Sequence, residues 1–526
     1  MSGNEISRIL PAHITPRILD LLKCADGVIL AGSYAVGRNI SNSDVDIVIF
    51  SKKINYIYCE SMCETGRNFQ FIFFPYYKTP YALIKDAFNG KGIYASMFKE
   101  GRIIKDTPNK ILTRMQRYMR SCQEHRNKCE DLALIHRISN ALEGLNADIP
   151  EIEKLYIASE ILLNTSKLLT HSYTVDGKHN ARNIISDESD TEFIESYRTF
   201  VATHDATTFI RDIDSILLKF GGRQTKYTTG WVYTFPHSDN LTVFFPSHVL
   251  DSRILECIHS IENICQGCYS YVFYIGKNQA MEEGVFLFLF TPEKNMSEII
   301  DRLNDYSSLH AGDHMKQSIR MTFPYKTFFH EGIIFGGRDN FYSFIPHFRD
   351  IWHCFSNLIE NNPDQKNHAA KILSTLLLYE SAKVIGTPQC KEVATELFHK
   401  LILDAADPNG LYNMLQIDDY RKGALKLYSE VYEKNLSTYR ETIQGIINGE
   451  IIEIGRIRNR ISRLYKLVHE IDAGASAIPD IFDSPNKHTI LWMNVLDHLM
   501  SIFQLTPTEK FGIVYNFSRY IQEYDI

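Results

Sequence analysis

Long apolar runs are missing from this chain. The longest, Val285 to Phe290, falls well short of the ~20 residues a membrane-spanning helix needs, so no membrane partner is expected. The first residues, Met1-Ser2-Gly3-Asn4-Glu5-Ile6, lack the charged-then-apolar pattern of an export signal. Cysteine is sparse, with 10 scattered through 526 residues. Without an export signal these read as reduced thiols, and the expected location is cytoplasmic. Cys265-Gln266-Gly267-Cys268 has no second pair at zinc spacing, although Cys257 and His259 are near. Basic charge is short as well. Lys and Arg number 56 against 63 Asp and Glu, a net charge of −7, which excludes a chain built to coat nucleic acid. Absent too are H-E-x-x-H, the G-x-x-x-x-G-K-[ST] P-loop and G-x-S-x-G.

What remains is globular. Hydrophobic residues make up 44% and charged residues 23% of a chain long enough for about two to four domains. The most informative stretch is GVILAGSYAVGRNISNSDVDIVIF, from Gly27 to Phe50. Val28-Ile29-Leu30 reads as a short buried strand that stops at Gly32-Ser33, where a small residue lets the backbone approach a ligand. Gly37, Asn39, Ser41, Asn42 and Ser43 supply turn chemistry, and Asp44-Val45-Asp46-Ile47-Val48-Ile49-Phe50 resumes as a strand. Alternation along that strand puts Asp44 and Asp46 on one face. Two adjacent carboxylates repel unless a cation sits between them, and Mg²⁺ fits that role. The plainer reading is a β-hairpin whose polar turn carries two aspartates.

The Gly-Ser…Asp-x-Asp pattern resembles that of the DNA polymerase β-like nucleotidyltransferases. The resemblance covers roughly the first fifth of the chain. It implies that Gly32 and Ser33 hold the triphosphate of an NTP and that Asp44 and Asp46 hold Mg²⁺ as the catalytic carboxylates. One departure stands out. The family places a third carboxylate on the next strand, here Asn68 to Pro75, and the matching residue is Gln70. An amide accepts a hydrogen bond but is no general base. Either the base comes from elsewhere, with Glu60 and Glu64 nearest in sequence, or the substrate is already nucleophilic, or the site binds nucleotide without turnover.

The expected fold class is α+β and multidomain. Residues 1–110 form a nucleotidyltransferase-type α/β core, with a helix at Pro16 to Cys24. A helix, glycine turn and strand from Ile93 to Asp106 resemble the close of the core in small nucleotidyltransferases. Residues 111–218 form a helical companion domain, in which Leu155, Ala158, Leu162, Thr165 and Leu169 recur at helical spacing. Arg114, Arg117 and Arg120 there form either a solvated face or a basic wall beside a triphosphate. Lys178, in a Gly-Lys-His turn like those of helical domains attached to such enzymes, either reaches a phosphate or caps a helix. Lys219 to Thr225 is the candidate linker.

Residues 226–526 begin with aromatic strands and become nearly all helix from Ile345. This half resembles, more weakly, the C-terminal elimination domain of lantibiotic dehydratases and thiopeptide-type biosynthesis proteins. The resemblance rests on Trp231-Val232-Tyr233, then Tyr325, Glu331 and Gly336-Gly337, then His498. Ile502 and Phe503 replace that family's Asn-Arg pair, and Arg338 is the candidate substitute. Arg456, Arg458, Arg460, Arg463 and Lys466 make a basic run, read as a solvated helix face in preference to an RNA-binding one. His330-Glu331 near Gly336-Gly337 reads either as an acid and base or, in preference, as a structural histidine on an aromatic strand. Together these features predict a Mg²⁺-dependent transfer of a nucleoside monophosphate from NTP to a small-molecule or peptide acceptor. The alternatives are a nucleotide-binding regulatory or scaffold protein without turnover, and an elimination or tRNA-dependent enzyme with tRNA as partner.

Overall fold

The structure is a computed structural model. It describes residues 15–39, 43–54, 56–64, 66–88, 93–122, 128–170, 192–223, 240–245, 259–260, 262, 269–277, 283–290, 298, 320–322, 332–361, 363–406, 417–448, 454–471 and 477–523. The chain is α+β; among the described residues there are one mixed five-stranded sheet, one four-stranded sheet and a majority of helix.

The first element is α1 (Pro16–Cys24), with Thr15 as N-cap and proline in its first turn, where no N–H is missed. Then come β1 (Gly27–Ala31), the short α2 (Gly32–Ala35), β2 (Val45–Ser51), β3 (Tyr58–Glu64) and β4 (Arg67–Pro75). Next are α3 (Thr79–Phe88), α4 (Ile93–Glu100), β5 (Arg102–Lys105) and α5 (Ile111–Ser121). The first sheet has the order β3-β4-β2-β1-β5, with β2 and β4 parallel and the other pairs antiparallel. Val45, Ile47 and Ile49 of β2 and Phe69, Phe71 and Phe73 of β4 pack with Ile18 and Leu22 of α1. The other face of the same strands starts polar, at Asp46 and Gln70, then turns apolar and buried at Val48, Phe50, Ile72 and Phe74.

The expected strands and the helices flanking them form, but β3 was not expected. Its sequence, YCESMCE, alternates weakly and sits at the sheet edge with much of it exposed, so no hydrophobic period marks it.

Four helices follow: α6 (Lys128–Leu145), α7 (Glu151–Thr170), α8 (Glu192–Thr203) and α9 (Thr207–Leu218). They share one core that includes Ile138, Leu142, Ala158, Ile161, Phe200, Phe209 and Ile213. The helical period expected over 155–169 is there, but its deeply buried side is Ala158, Ile161, Thr165 and Leu168. Leu155, Leu162 and Leu169 pack at the margin. Gly221 and Gly222 end α9 with positive φ of 99° and 88°. Only the first part of the candidate linker, to Arg223, is among the described residues.

The four-stranded sheet has the order β7-β8-β6-β9, all antiparallel, from β6 (Asn240–Phe245), β7 (Tyr269–Lys277), β8 (Glu283–Phe290) and β9 (Arg320–Thr322). The C-terminal helices are α10 (Arg338–Asn361), α11 (Lys366–Ile385), α12 (Thr387–Ala406), α13 (Ile417–Asn448), α14 (Ile454–Glu470), α15 (Lys487–Ile502) and α16 (Pro507–Glu523). The strand expected at Gly230 to Phe235 and most of the helix expected over 296–306 lie outside the described residues.

The chain divides into two compact units. One comprises residues 1–81, 101–118 and 238–526, and the other residues 82–100 and 119–237. The first unit therefore joins the N-terminal sheet to the C-terminal helices, segments that the sequence reading assigns to different domains. Tyr76 donates to Asp483 Oδ1 at 3.0 Å, Tyr81 donates to Asn494 Oδ1 at 2.9 Å, and Arg114 pairs with Asp480 at 2.7 Å.

Candidate functional site

The β1–α2–β2 segment is built around one close approach. Gly32 has φ of +62°, the left-handed region, and a Cβ there would overlap Asp46 Oδ2 and come within 2.8 Å of its Cγ. Only glycine lets this turn lie against the carboxylate. Register explains the approach, because Ala31 at the end of β1 pairs with Asp46 on β2. Asp46 is half-buried, and Asp44, just ahead of β2, is exposed. Ser33 follows Gly32 in α2, is half-buried, and accepts the Arg38 N–H through its carbonyl at 2.9 Å. Burial, and after it the Asp46 charge, raises the Cys59 thiol pKa.

Gln70 stands beside Asp46 in the parallel β2–β4 register and is half-buried like it. Side chains paired across a ladder share a sheet face, so the amide lies alongside the carboxylate. The same rule separates the two nearby glutamates from them. Glu60 pairs with Phe71 and Glu64 with Arg67, and Phe71 faces α1. Tyr58 and Met62, which alternate with neither glutamate, pack into that same α1-side core. Glu60 and Glu64 thus project from the face opposite Asp46. Among the described residues no three His, Cys, Asp or Glu side chains come together as a metal cluster. The donor set at the β2 start is two carboxylates with an amide beside them, all hard oxygen ligands of the kind Mg²⁺ takes when substrate phosphates complete its shell.

Several sequence candidates fall elsewhere. Lys178 lies outside the described residues, as do Trp231, Tyr233, Tyr325, His330 and Glu331. Arg120 donates to the Lys99 carbonyl at 2.9 Å, and Arg114 is the ion-pair partner of Asp480. The basic run on α14 is the solvated face expected at Arg456, Arg463 and Lys466, which are exposed, but not at Arg458 and Arg460. Arg458 donates to Glu380 Oε1 at 2.6 Å and to the Ile446 carbonyl at 2.9 Å, and Arg460 pairs with Asp350 at 2.6 Å. Both guanidiniums are spent on packing α14 against its neighbours. Gly336 and Gly337 have positive φ and lead into α10, where Arg338 donates to Tyr342 at 2.9 Å. His498 is buried against Phe335 and Phe348, and burial pushes its pKa down to about 3. A ring held neutral and away from solvent in that way serves packing.

A second cluster was not expected from sequence. It lies past the far end of β4 and collects residues distant in the chain. Tyr76, Tyr77 and Tyr81 line a small pocket with Glu396 and Lys400 of α12 and Phe482 and Asp483 of the segment before α15. Asp483 accepts from Tyr76 at 3.0 Å and Asn109 at 3.2 Å and lies 3.7 Å from the Lys52 ammonium. Lys52 in turn sits over the Tyr76 ring at 4.5 Å. His399 stacks on Tyr77 with centroids 5.3 Å apart. Deeper in, Lys400 pairs with Asp497 at 2.7 Å and lies 4.6 Å from the Tyr81 ring centre. Lys510 completes the triad, donating to Asp497 at 2.7 Å and to Ser501 at 2.6 Å. These two ammoniums hold the Asp497 carboxyl far below its ordinary range despite its burial. Glu396 behaves in the opposite way. Burial first, then the charges of Asp483 and Glu392, push its pKa up to about 7.

No protein-family model matches this chain, and no curated protein matches it significantly.

Proposed function

We propose that the β1–α2–β2 segment is the nucleotide site of a nucleotidyltransferase-type core. The activity would be transfer of a nucleoside monophosphate from NTP to an acceptor hydroxyl in the cytoplasm. The observation that carries this reading is the glycine-only contact between Gly32 and Asp46. A structural hairpin has no need to lay a left-handed glycine against a carboxylate, whereas a triphosphate cradle needs an open backbone beside its metal ligands. In this proposal Asp44 and Asp46 would hold Mg²⁺, which would supply positive charge against the phosphates. The Gly32 turn and the Ser33 hydroxyl orient the phosphates. Gln70 beside Asp46 holds a water or a phosphate oxygen through its amide without taking a proton.

The neighbourhood of Asp46 also supports a second reading, nucleotide binding without turnover. Gln70 occupies the register position beside the carboxylate, and Glu60 and Glu64 face the other way, so neither supplies a base there. Calorimetry with Mg²⁺ and a non-hydrolysable NTP tests both readings. Binding should vanish in Asp46→Asn while the circular dichroism spectrum stays that of the wild type. Equal affinity in Asp44→Asn, Asp46→Asn and wild type overturns the site. Binding without pyrophosphate release from hydrolysable NTPs and a panel of hydroxyl acceptors selects the second reading.

A further inference from the structure

The pocket past the end of β4 stands apart from the Asp46 region. Ser51, which pairs with Pro75 at the β4 terminus, follows Asp46 along β2 by about 17 Å. A ligand seated there cannot present an acceptor at Asp46, so the pocket requires its own explanation. Its walls are tyrosine rings with Phe482 and Met493, and its polar groups are unevenly satisfied. Asp483 has three donors around it. Lys400 is taken by Asp497. Glu396, which also lines the pocket, makes no hydrogen bond or ion pair among the described residues.

The surroundings already recognise ammonium groups twice. Lys52 is held at the rim by the Tyr76 and Tyr77 rings, at 4.5 and 5.7 Å, together with Asp483. Lys400 is held at the floor by the Tyr81 ring and Asp497. Tyrosine faces and carboxylates are the chemistry that attracts ammonium cations. The charge balance leaves room for one more. Asp26, Asp483, Glu392, Glu396 and Asp497 face or flank the cluster against Lys52, Lys400, Lys510 and Arg421, so an ionised Glu396 leaves one carboxylate in excess. An anionic ligand would meet the Glu396 and Asp483 carboxylates that line the pocket.

We propose that this pocket binds the terminal ammonium of a small linear amine, with Glu396 as counter-ion and the tyrosine rings around its alkyl stem. The raised proton affinity of the empty Glu396 agrees with this, since an arriving cation would restore its charge.

Ligand-observed saturation-transfer NMR on the full chain tests it, with n-butylamine as probe and n-butanol as its neutral isostere. The wild type should bind the amine saturably in the millimolar range and the alcohol at least tenfold more weakly. Glu396→Gln should bring the amine down to the level of the alcohol. Equal binding of amine and alcohol by the wild type, or no saturable amine binding, overturns the proposal without recourse to a variant. Wild-type amine affinity in a folded Glu396→Gln protein overturns it as well.

Discussion

Replacing Glu396 by glutamine should stabilise the protein, increasingly as pH rises through the window from 4.5 to about 7. The folded carboxyl has its pKa raised from 4.5 to about 7 by burial and by Asp483 and Glu392. Between those values the folded state holds a proton that the unfolded state has released, so stability falls as pH rises through that window. Below it both states are protonated and the penalty is absent. Above it the penalty is complete. At about 1.36 kcal/mol per pKa unit the ceiling is about 3 kcal/mol, and water in the pocket screens part of this, leaving about 1–3 kcal/mol. Glutamine keeps the shape and never charges. Urea unfolding followed by tryptophan emission suits the measurement, because Trp352 and Trp492 are fully buried in the same compact unit. The variant and wild type should match near pH 4 and below and diverge by about 1–3 kcal/mol near pH 8, with the variant more stable. Other titrations cancel in the difference between the two proteins. A difference that stays constant across this range refutes the reasoning.

Other outcomes follow from the geometry. Gly32→Ala should cost at least about 2 kcal/mol, from the left-handed backbone and the overlap with Asp46, and thermal unfolding measures it. Asp497→Asn leaves Lys400 and Lys510 buried without their shared counter-charge and should destabilise by about 3–5 kcal/mol in urea titrations at neutral pH. The Asp497 pKa is depressed, so its contribution is present above the ordinary carboxylate range and fades only as pH falls through the acid region; the gap between variant and wild type should therefore close on acidification. Arg458→Ala should lower stability without changing affinity for any nucleic acid, since its guanidinium is committed to Glu380 and the Ile446 carbonyl. A filter-binding assay with tRNA checks the second half of that statement.

The candidate nucleotide site was legible because its geometry is local. Gly32, Ser33, Asp44 and Asp46 sit within one strand–turn–strand unit, and strand alternation alone aligns Asp46 with Gln70 once β2 and β4 pair. That Glu60 and Glu64 project from the other face was not legible, because β3 carries no hydrophobic period and its pairing had to be seen. The tyrosine–glutamate pocket was invisible for a different reason. Its residues come from the end of β4, from α12 and from the segment before α15, and no short-range spacing links them. Arg458 and Arg460 of α14 looked like part of a solvated stripe because periodicity gives a face but not what the face meets.

The discontinuity of the first compact unit bears on how the chain is made. Tyr76 emerges from the ribosome 407 residues before its partner Asp483. At about 5–20 residues per second that interval is on the order of 20–80 s. For most of it the three tyrosines beyond β4 lack the α12 and pre-α15 residues that they lie against. The early sheet is thus a long-lived nascent intermediate with apolar surface awaiting cover, the kind of species that chaperones retain. A chain that terminates before α15 would leave that wait without an end, so nonsense truncations near the C-terminus should lead to aggregation of the N-terminal sheet itself.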